Sequence, residues 1–225
     1  MGFLKTVMFR SVVSVILMLC LFAGLAVMIS RHRVALFDNQ IVDVIRSLNS
    51  PNVTVVMKGF TTAGSGVYVT IITILIVLTL VIIGYRREMI FFVGVILCSS
   101  LLNYLLKQIF HRARPDIHRI INAAGYSFPS GHSMSAFTLY SLTIYFLWKH
   151  ARRAWTRIAI VIIGLTMILM IGISRIYLGV HYPSDIIGGY LISGAWLVAS
   201  ISWYEHYLEE RWRSKKFRSR RTSLH

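Results

Sequence analysis

The chain has 225 residues, 56% of them hydrophobic and 14% charged, with a mean hydropathy of +0.67. A soluble domain carries about 45–50% apolar and about 25% charged residues, so this composition places most of the chain in a medium other than water. It excludes a disordered or collagen-like chain and, because both cysteines lie inside apolar runs, a disulfide-stapled secreted scaffold. The 24 Lys and Arg against 8 Asp and Glu give a formal charge of +16; beside runs of membrane length, that charge points to anionic lipid as partner rather than nucleic acid.

A helix rises about 1.5 Å per residue and the hydrocarbon core is about 30 Å thick. Six runs meet that length: Ser11 to Ser30, Val67 to Tyr85, Met89 to Phe110, Ser133 to Trp148, Ile158 to Ser174 and Asp185 to Tyr204. The first is longer than a signal-peptide core and lacks a small-x-small cleavage site, so it is read as a span. The expectation is an all-α, integral membrane six-helix bundle forming a single domain over residues 1–225, with an outer segment at 31–66 and a basic tail at 205–225.

Within the outer segment, Phe37, Ile41, Val44, Ile45 and Leu48 recur at helical spacing, with Asp38, Gln40, Asp43 and Arg46 on other faces. This predicts a short amphipathic helix in the outer interface, a stop at Asn49-Ser50-Pro51, and a second short segment ending at Ala63-Gly64-Ser65-Gly66, together a helical hairpin between spans one and two.

Basic residues set the direction of the spans. The segments on the side of both termini hold 15, among them Arg86, Arg87, Arg152, Arg153 and the tail from Arg211 to Arg221, against 9 on the opposite side. Both termini are therefore expected in the cytoplasm.

Three polar clusters interrupt the apolar pattern at one depth. Lys107 falls about 27 Å along the third span, followed by His111, Arg112, Arg114 and Pro115, with 107, 111 and 114 on one helical face. Pro129-Ser130-Gly131-His132 immediately precedes the fourth span. Ser174-Arg175 falls about 26 Å along the fifth, followed by His181 and Asp185 at the start of the sixth. Spans three and five run outward while four and six start outside, so all three clusters are predicted to meet at the outer face.

Lys107, Arg114 and Arg175 supply permanent positive charge at the membrane boundary, where unpaired charge is costly. Arginine's planar fork matches phosphate oxygens, and the helix start at Ser130-Gly131 offers free amides and a positive dipole end. This is a cradle for an oxyanion, with phosphate the expected one. Asp185, four residues after His181, lies beneath its imidazole, fixing the tautomer of a nucleophile. His132, beside the cradle, is placed to protonate the leaving oxygen. No metal and no cofactor are expected, because Asp38, Asp43, Asp116 and Asp185 are too few and too dispersed for a hard cation and three fixed cations would repel it. A zinc site through His111, His118, His132 and His181 would leave the Lys and Arg unexplained.

Lys107 with six residues before Arg114-Pro115, then Pro129-Ser130-Gly131-His132, then Ser174-Arg175 with five residues before His181 and three before Asp185, resembles the three-part signature of the type 2 phosphatidic acid phosphatase family. The resemblance implies a phosphohistidine on His181, with Asp185 orienting it and His132 as general acid. It also implies that Lys107, Arg114, Ser130, Gly131 and Arg175 hold the phosphoryl group. The implied substrate is a lipid phosphate monoester or diphosphate such as phosphatidylglycerol phosphate, phosphatidic acid or undecaprenyl diphosphate, in the bilayer and with no obligate protein partner. Transfer to another lipid, or anion transport without chemistry, remain alternatives. Arg112, Asp116, His118 and Arg119 fill no signature position and are expected in a solvated loop, while His111 is undecided between site and loop. Gly188, Gly189 and Gly194 are expected to serve helix packing.

Overall fold

The computed structural model of the protein describes residues 2–116 and 119–222, excepting the side chains of 2–5 and 209–222. His118 and the side chains of the basic tail from residue 209 onward lie outside that description. The regular elements are α1 (Gly2–Ser30), α2 (Ala35–Ser47), α3 (Pro51–Ala63), α4 (Gly66–Ile83), α5 (Arg86–Phe110), α6 (Gly131–His150), α7 (Ala154–Tyr177) and α8 (Pro183–Thr222). Local sequence explains their ends. Gly84 closes α4 at φ 87°, with the Gly84 and Tyr85 amides bonded to the carbonyls of Val81 and Leu80, a left-handed turn open to a residue without Cβ. Pro51 opens α3 behind Ser50, whose hydroxyl accepts from the Val53 amide at 3.3 Å.

Five of the six apolar runs lie wholly within helices, the second ends with α4 at Ile83, two residues short of Tyr85, and α8 continues unbroken past Tyr204 to Thr222. Among the described residues, five helices, α1, α4, α5, α7 and α8, are long and apolar enough to cross a membrane. The 20-residue α6 is long enough at about 30 Å but richer in Ser, Thr and Tyr. Its position accounts for that composition. It packs against α4, α5, α7 and α8, burying Ser133, Met134, Thr138, Leu139 and Leu142 between helices rather than against lipid.

Lipid tails are as apolar as the side chains they meet, so packing and interhelical hydrogen bonds hold such bundles, each bond contributing about 0.6 kcal/mol on average. Thr138 of α6 and Ser99 of α5 share one at 2.9 Å. From α8, Tyr190 donates to the Ile168 carbonyl of α7 at 2.6 Å and the Trp196 indole to the Val95 carbonyl of α5 at 3.1 Å. Close approach matters too: a Cβ on Gly188 would stand 2.4 Å from the ring of Phe128, and one on Gly194 3.1 Å from Met18 Sδ.

The segments that carry the polar clusters are pinned by Phe128, fully buried before α6. Its ring stacks on Phe22 of α1 at 5.5 Å and meets Phe110 of α5 edge-on at 5.0 Å. Backbone bonds then knit the loops: Ser127 donates to the Arg112 carbonyl, Ile120 to that of Leu178 and Ser130 to that of Asp185.

The outer segment folds as α2 and α3, separated by residues 48–50, with α3 packed on α7 and α4 and α2 on α7 and α8. α2 turns different faces to the bundle and to its surroundings. Phe37, Val44 and Leu48 are exposed, whereas Val42 and Asp38 are buried, Asp38 completely. A carboxylate takes the inward position because it meets a guanidinium and the start of α8 there.

Candidate active site

The C-terminal ends of α5 and α7 and the N-terminal ends of α6 and α8 converge through the loops at 111–130 and 178–182. Between them lies a cavity of about 520 Å³ lined by Lys107, Arg114, Gly131, His132, Arg175 and His181, with Thr61 and Thr62 from the end of α3 and Ser65 from the turn that follows it. Each cation is held by local acceptors. Lys107 donates to the Tyr126 carbonyl at 2.5 Å, and Arg175 to Thr61 Oγ1 at 2.5 Å. Arg175 Nε is buried with no partner among the described residues. Arg114 donates from Nε to the Gly125 carbonyl and from Nη2 to that of Ala124, both at 2.9 Å, and from Nη1 to the Val180 carbonyl at 2.9 Å. Burial and neighbouring Arg119 hold its pKa below the ordinary arginine value, against the pull of Asp185; the group remains cationic at neutral pH.

His181 is buried at 2% exposure. Its Nε2 lies 3.1 Å from Arg114 Nη1, and its Nδ1 lies 3.3 Å from Asp185 Oδ2 and 3.3 Å from Ser127 Oγ. Arginine can only donate, so Nε2 must present its lone pair and Nδ1 carries the proton toward the carboxylate. Burial, assisted by Arg114 and Arg175, lowers the pKa of this histidine from 6.5 to about 4 although Asp185 pulls the other way. At neutral pH the ring is therefore uncharged, with its cavity-facing nitrogen free of a proton, the form a nucleophile requires.

Asp185, fully buried, is saturated with donors. Oδ2 accepts from Ser127 Oγ at 2.5 Å and the Tyr182 amide at 2.8 Å besides His181, and Oδ1 accepts from Arg112 Nη1 at 2.6 Å. At the start of α6 the Ser133 amide goes to Ser130 Oγ and the Met134 amide to the Ser130 carbonyl. The Gly131 and His132 amides are left unpaired among the described residues, at the positive end of the helix dipole.

Three sequence expectations change here. Arg112 is no solvated loop residue: its side chain is 14% exposed and bridges Asp185 and Asp38. His111 leaves the Lys107 face, because α5 ends at Phe110 and His111 turns left-handed at φ 45°, its ring edge-on to Tyr126 at 4.4 Å. Ser130 is buried with its hydroxyl capping α6 and accepting from Ser133 Oγ at 3.0 Å, so it does not line the cavity. Asp116 and Arg119 pair with each other at 2.6 Å on the exposed loop. Sequence reasoning missed Ser127, Ser184, Asp38 and Thr61. Ser127 and Ser184 carried a local signal, as hydroxyls two residues before Pro129 of the second cluster and immediately before Asp185 of the third.

Residues 87–208 match the PAP2 superfamily. Phosphatidylglycerophosphatase B of Bacillus subtilis (strain 168) is 32% identical over 173 residues, covering 75% of this chain and 84% of that protein. Undecaprenyl-diphosphatase BcrC of the same organism is 30% identical over 113 residues, covering 48% of this chain and 53% of its own. Among solved structures, the transmembrane PAP2 type phosphatidylglycerolphosphate phosphatase from Bacillus subtilis superposes with a TM-score of 0.80 at 28% identity, covering 86% of this chain and 96% of that one.

Proposed function

This chain belongs to the PAP2 superfamily and is a multi-pass membrane phosphatase, and on that premise we propose that it hydrolyses a phosphate monoester or diphosphate of a membrane lipid through a phosphohistidine on His181. The observation that supports this reading is the unprotonated Nε2 of His181, buttressed from behind by Asp185 and facing a cavity lined by Lys107, Arg114 and Arg175. The anionic substrate brings His132 its proton by offsetting the cavity's cations; Nε2 then bonds to phosphorus while the bond from phosphorus to the lipid oxygen breaks, and that oxygen takes the proton from His132. Water then attacks the phosphohistidine and returns a proton to His132, releasing inorganic phosphate and neutral His181. The three cations and the amides of Gly131 and His132 spread the charge on the phosphoryl oxygens in both steps. Ser130 acts by holding the α6 start open to the anion rather than by touching it.

The whole chain is read as one domain with six crossings, α6 being the sixth because it is enclosed by the other helices and matches the hydrocarbon thickness. The basic-residue distribution places both termini in the cytoplasm and the cavity at the outer face. Phosphatidylglycerol phosphate, phosphatidic acid and undecaprenyl diphosphate all suit a cationic cavity at the bilayer surface, and the relatives above are named for the first and third. No metal enters the proposed chemistry, since the donors lining the cavity are cations and neutral groups that fit an anion and not a hard cation.

The test is phosphate release by the protein in detergent from these three lipids, with and without excess chelator. Release from at least one, unchanged by chelation, is expected. Substrate bound but left intact, or turnover lost to chelator and restored by a divalent metal, would overturn the reading.

A further inference from the structure

Asp38 is the least expected buried group in the molecule. It sits on α2, 0% exposed, and its carboxylate is fully engaged. Oδ1 accepts from the Ser184 amide at 2.9 Å, and Oδ2 from Ser184 Oγ at 2.7 Å and Arg112 Nη2 at 2.8 Å. The other guanidinium nitrogen of Arg112, Nη1, donates to Asp185 Oδ1 at 2.6 Å and to Ser184 Oγ at 2.7 Å. The guanidinium also lies 4.3 Å over the ring of Tyr182. One planar cation therefore bridges two buried carboxylates, one on α2 and one behind the proposed nucleophile. A buried charge is tolerated only when it is paired and hydrogen-bonded, so neither carboxylate can move without the other.

The geometry points to Arg112 and Asp38 as positioning residues for the reaction. Arg112, anchored by Asp38, fixes the plane and charge of Asp185 so that Oδ2 stays on His181, and docking of α2 completes the site. The inference rests on the reading of His181 as nucleophile. By occupying Oδ1, Arg112 leaves Oδ2 to the Ser127 hydroxyl, the Tyr182 amide and the imidazole. Asp38 in turn offsets part of the Arg112 charge, leaving Asp185 more negative toward His181 than it would be beside an uncompensated cation. The other groups facing His181 are Arg114 from the loop, Arg175 from α7, His132 from α6 and Lys107 from α5; none of them belongs to this bridge.

The two residues should then act on the imidazole with opposite sign, which a merely structural role would not produce. Arg112→Gln removes a cation beside Asp185 and should raise the acidic limb of kcat/KM by about one pH unit. The same change should lower kcat about 10²-fold through loss of orientation, with KM little changed. Asp38→Asn should lower kcat and move that limb down, because it leaves the Arg112 cation uncompensated. The double variant Asp38→Asn/Arg112→Gln removes the Asp38 charge together with its cation and leaves Asp185 held by Ser127, Tyr182 and His181; it should retain the fold, yet its kcat should stay depressed because Asp185 still lacks its guanidinium. The assay uses the full chain in detergent micelles with phosphatidic acid, alongside acid-quench capture of the phosphoenzyme. Limbs that shift in the same direction or not at all, or a double variant with wild-type kcat, would overturn the inference while the phosphoenzyme persists in the wild type. A phosphoenzyme surviving in His181→Ala would instead overturn the nucleophile assignment on which it rests.

Discussion

Arg114 Nη1 lies 3.1 Å from His181 Nε2, so the atom proposed to attack phosphorus already touches the cation proposed to receive the phosphoryl oxygens. In the proposed reaction an arriving phosphate would take over the guanidinium and free the lone pair in one movement. Arg114→Lys keeps the charge but cannot serve the Gly125, Ala124 and Val180 carbonyls and the substrate together. Its kcat/KM on phosphatidic acid should fall about 10–100-fold, the equivalent of one charged hydrogen bond at about 1.5–3 kcal/mol. A lysine variant with wild-type kcat/KM would remove the fork from the site.

The two histidines should separate by leaving group. His181→Ala should abolish turnover and any acid-labile phosphoenzyme, because no intermediate forms without the nucleophile. His132→Ala should cost about 10²–10⁴-fold on a lipid monoester, and much less on a nitrophenyl phosphate, whose leaving oxygen needs no proton. Equal losses on both substrates would strip His132 of its role as acid.

Acid should act through His181. Its pKa in the folded protein, about 4, lies below the ordinary 6.5 because of burial, so the unfolded chain takes the proton first as pH falls. The stability tied to the neutral ring is complete above pH 6.5 and is lost progressively between 6.5 and 4; raising the pH above 6.5 changes nothing through this group. Thermal unfolding in detergent should show that decline, and His181→Gln should make it shallower, with His132 accounting for what remains. A slope identical in the two proteins would locate the acid sensitivity elsewhere.

Sidedness is open to chemical labelling. Cys20 and Cys98 are first replaced by serine, and single cysteines are then introduced at Asp116, on the exposed loop beside the cavity, and at Arg153, where α7 begins. A membrane-impermeant thiol reagent should label the first in intact cells and the second only after lysis. The reverse pattern would put the cavity in the cytoplasm and change the lipid pool it reaches.

Much of the fold was legible because the relevant quantities are local. Span length follows from a fixed rise per residue, and the break at Asn49-Ser50-Pro51 between α2 and α3 follows from backbone chemistry. The shared depth of Lys107, His132, Arg175 and His181 follows from counting residues along helices of alternating direction. His181 and Asp185 could be paired from their spacing because one helical turn brings them together. Local patterning failed where rotation and loop conformation govern. The α2 pattern predicted an amphipathic helix with Asp38 off its apolar stripe, but not the burial of Asp38, whose partners lie 74 and 146 residues away. His111 left the Lys107 face because α5 ends one residue before it, and Ser130 turned its hydroxyl to cap its own helix. The sequence by itself thus determined a helical membrane protein with cations, two histidines and a carboxylate at one level. The bridge from Asp38 through Arg112 to Asp185 was decided by tertiary structure alone, because a buried charge is satisfied by whichever opposite charge the packed helices bring within about 3 Å, and no spacing along the chain encodes that meeting.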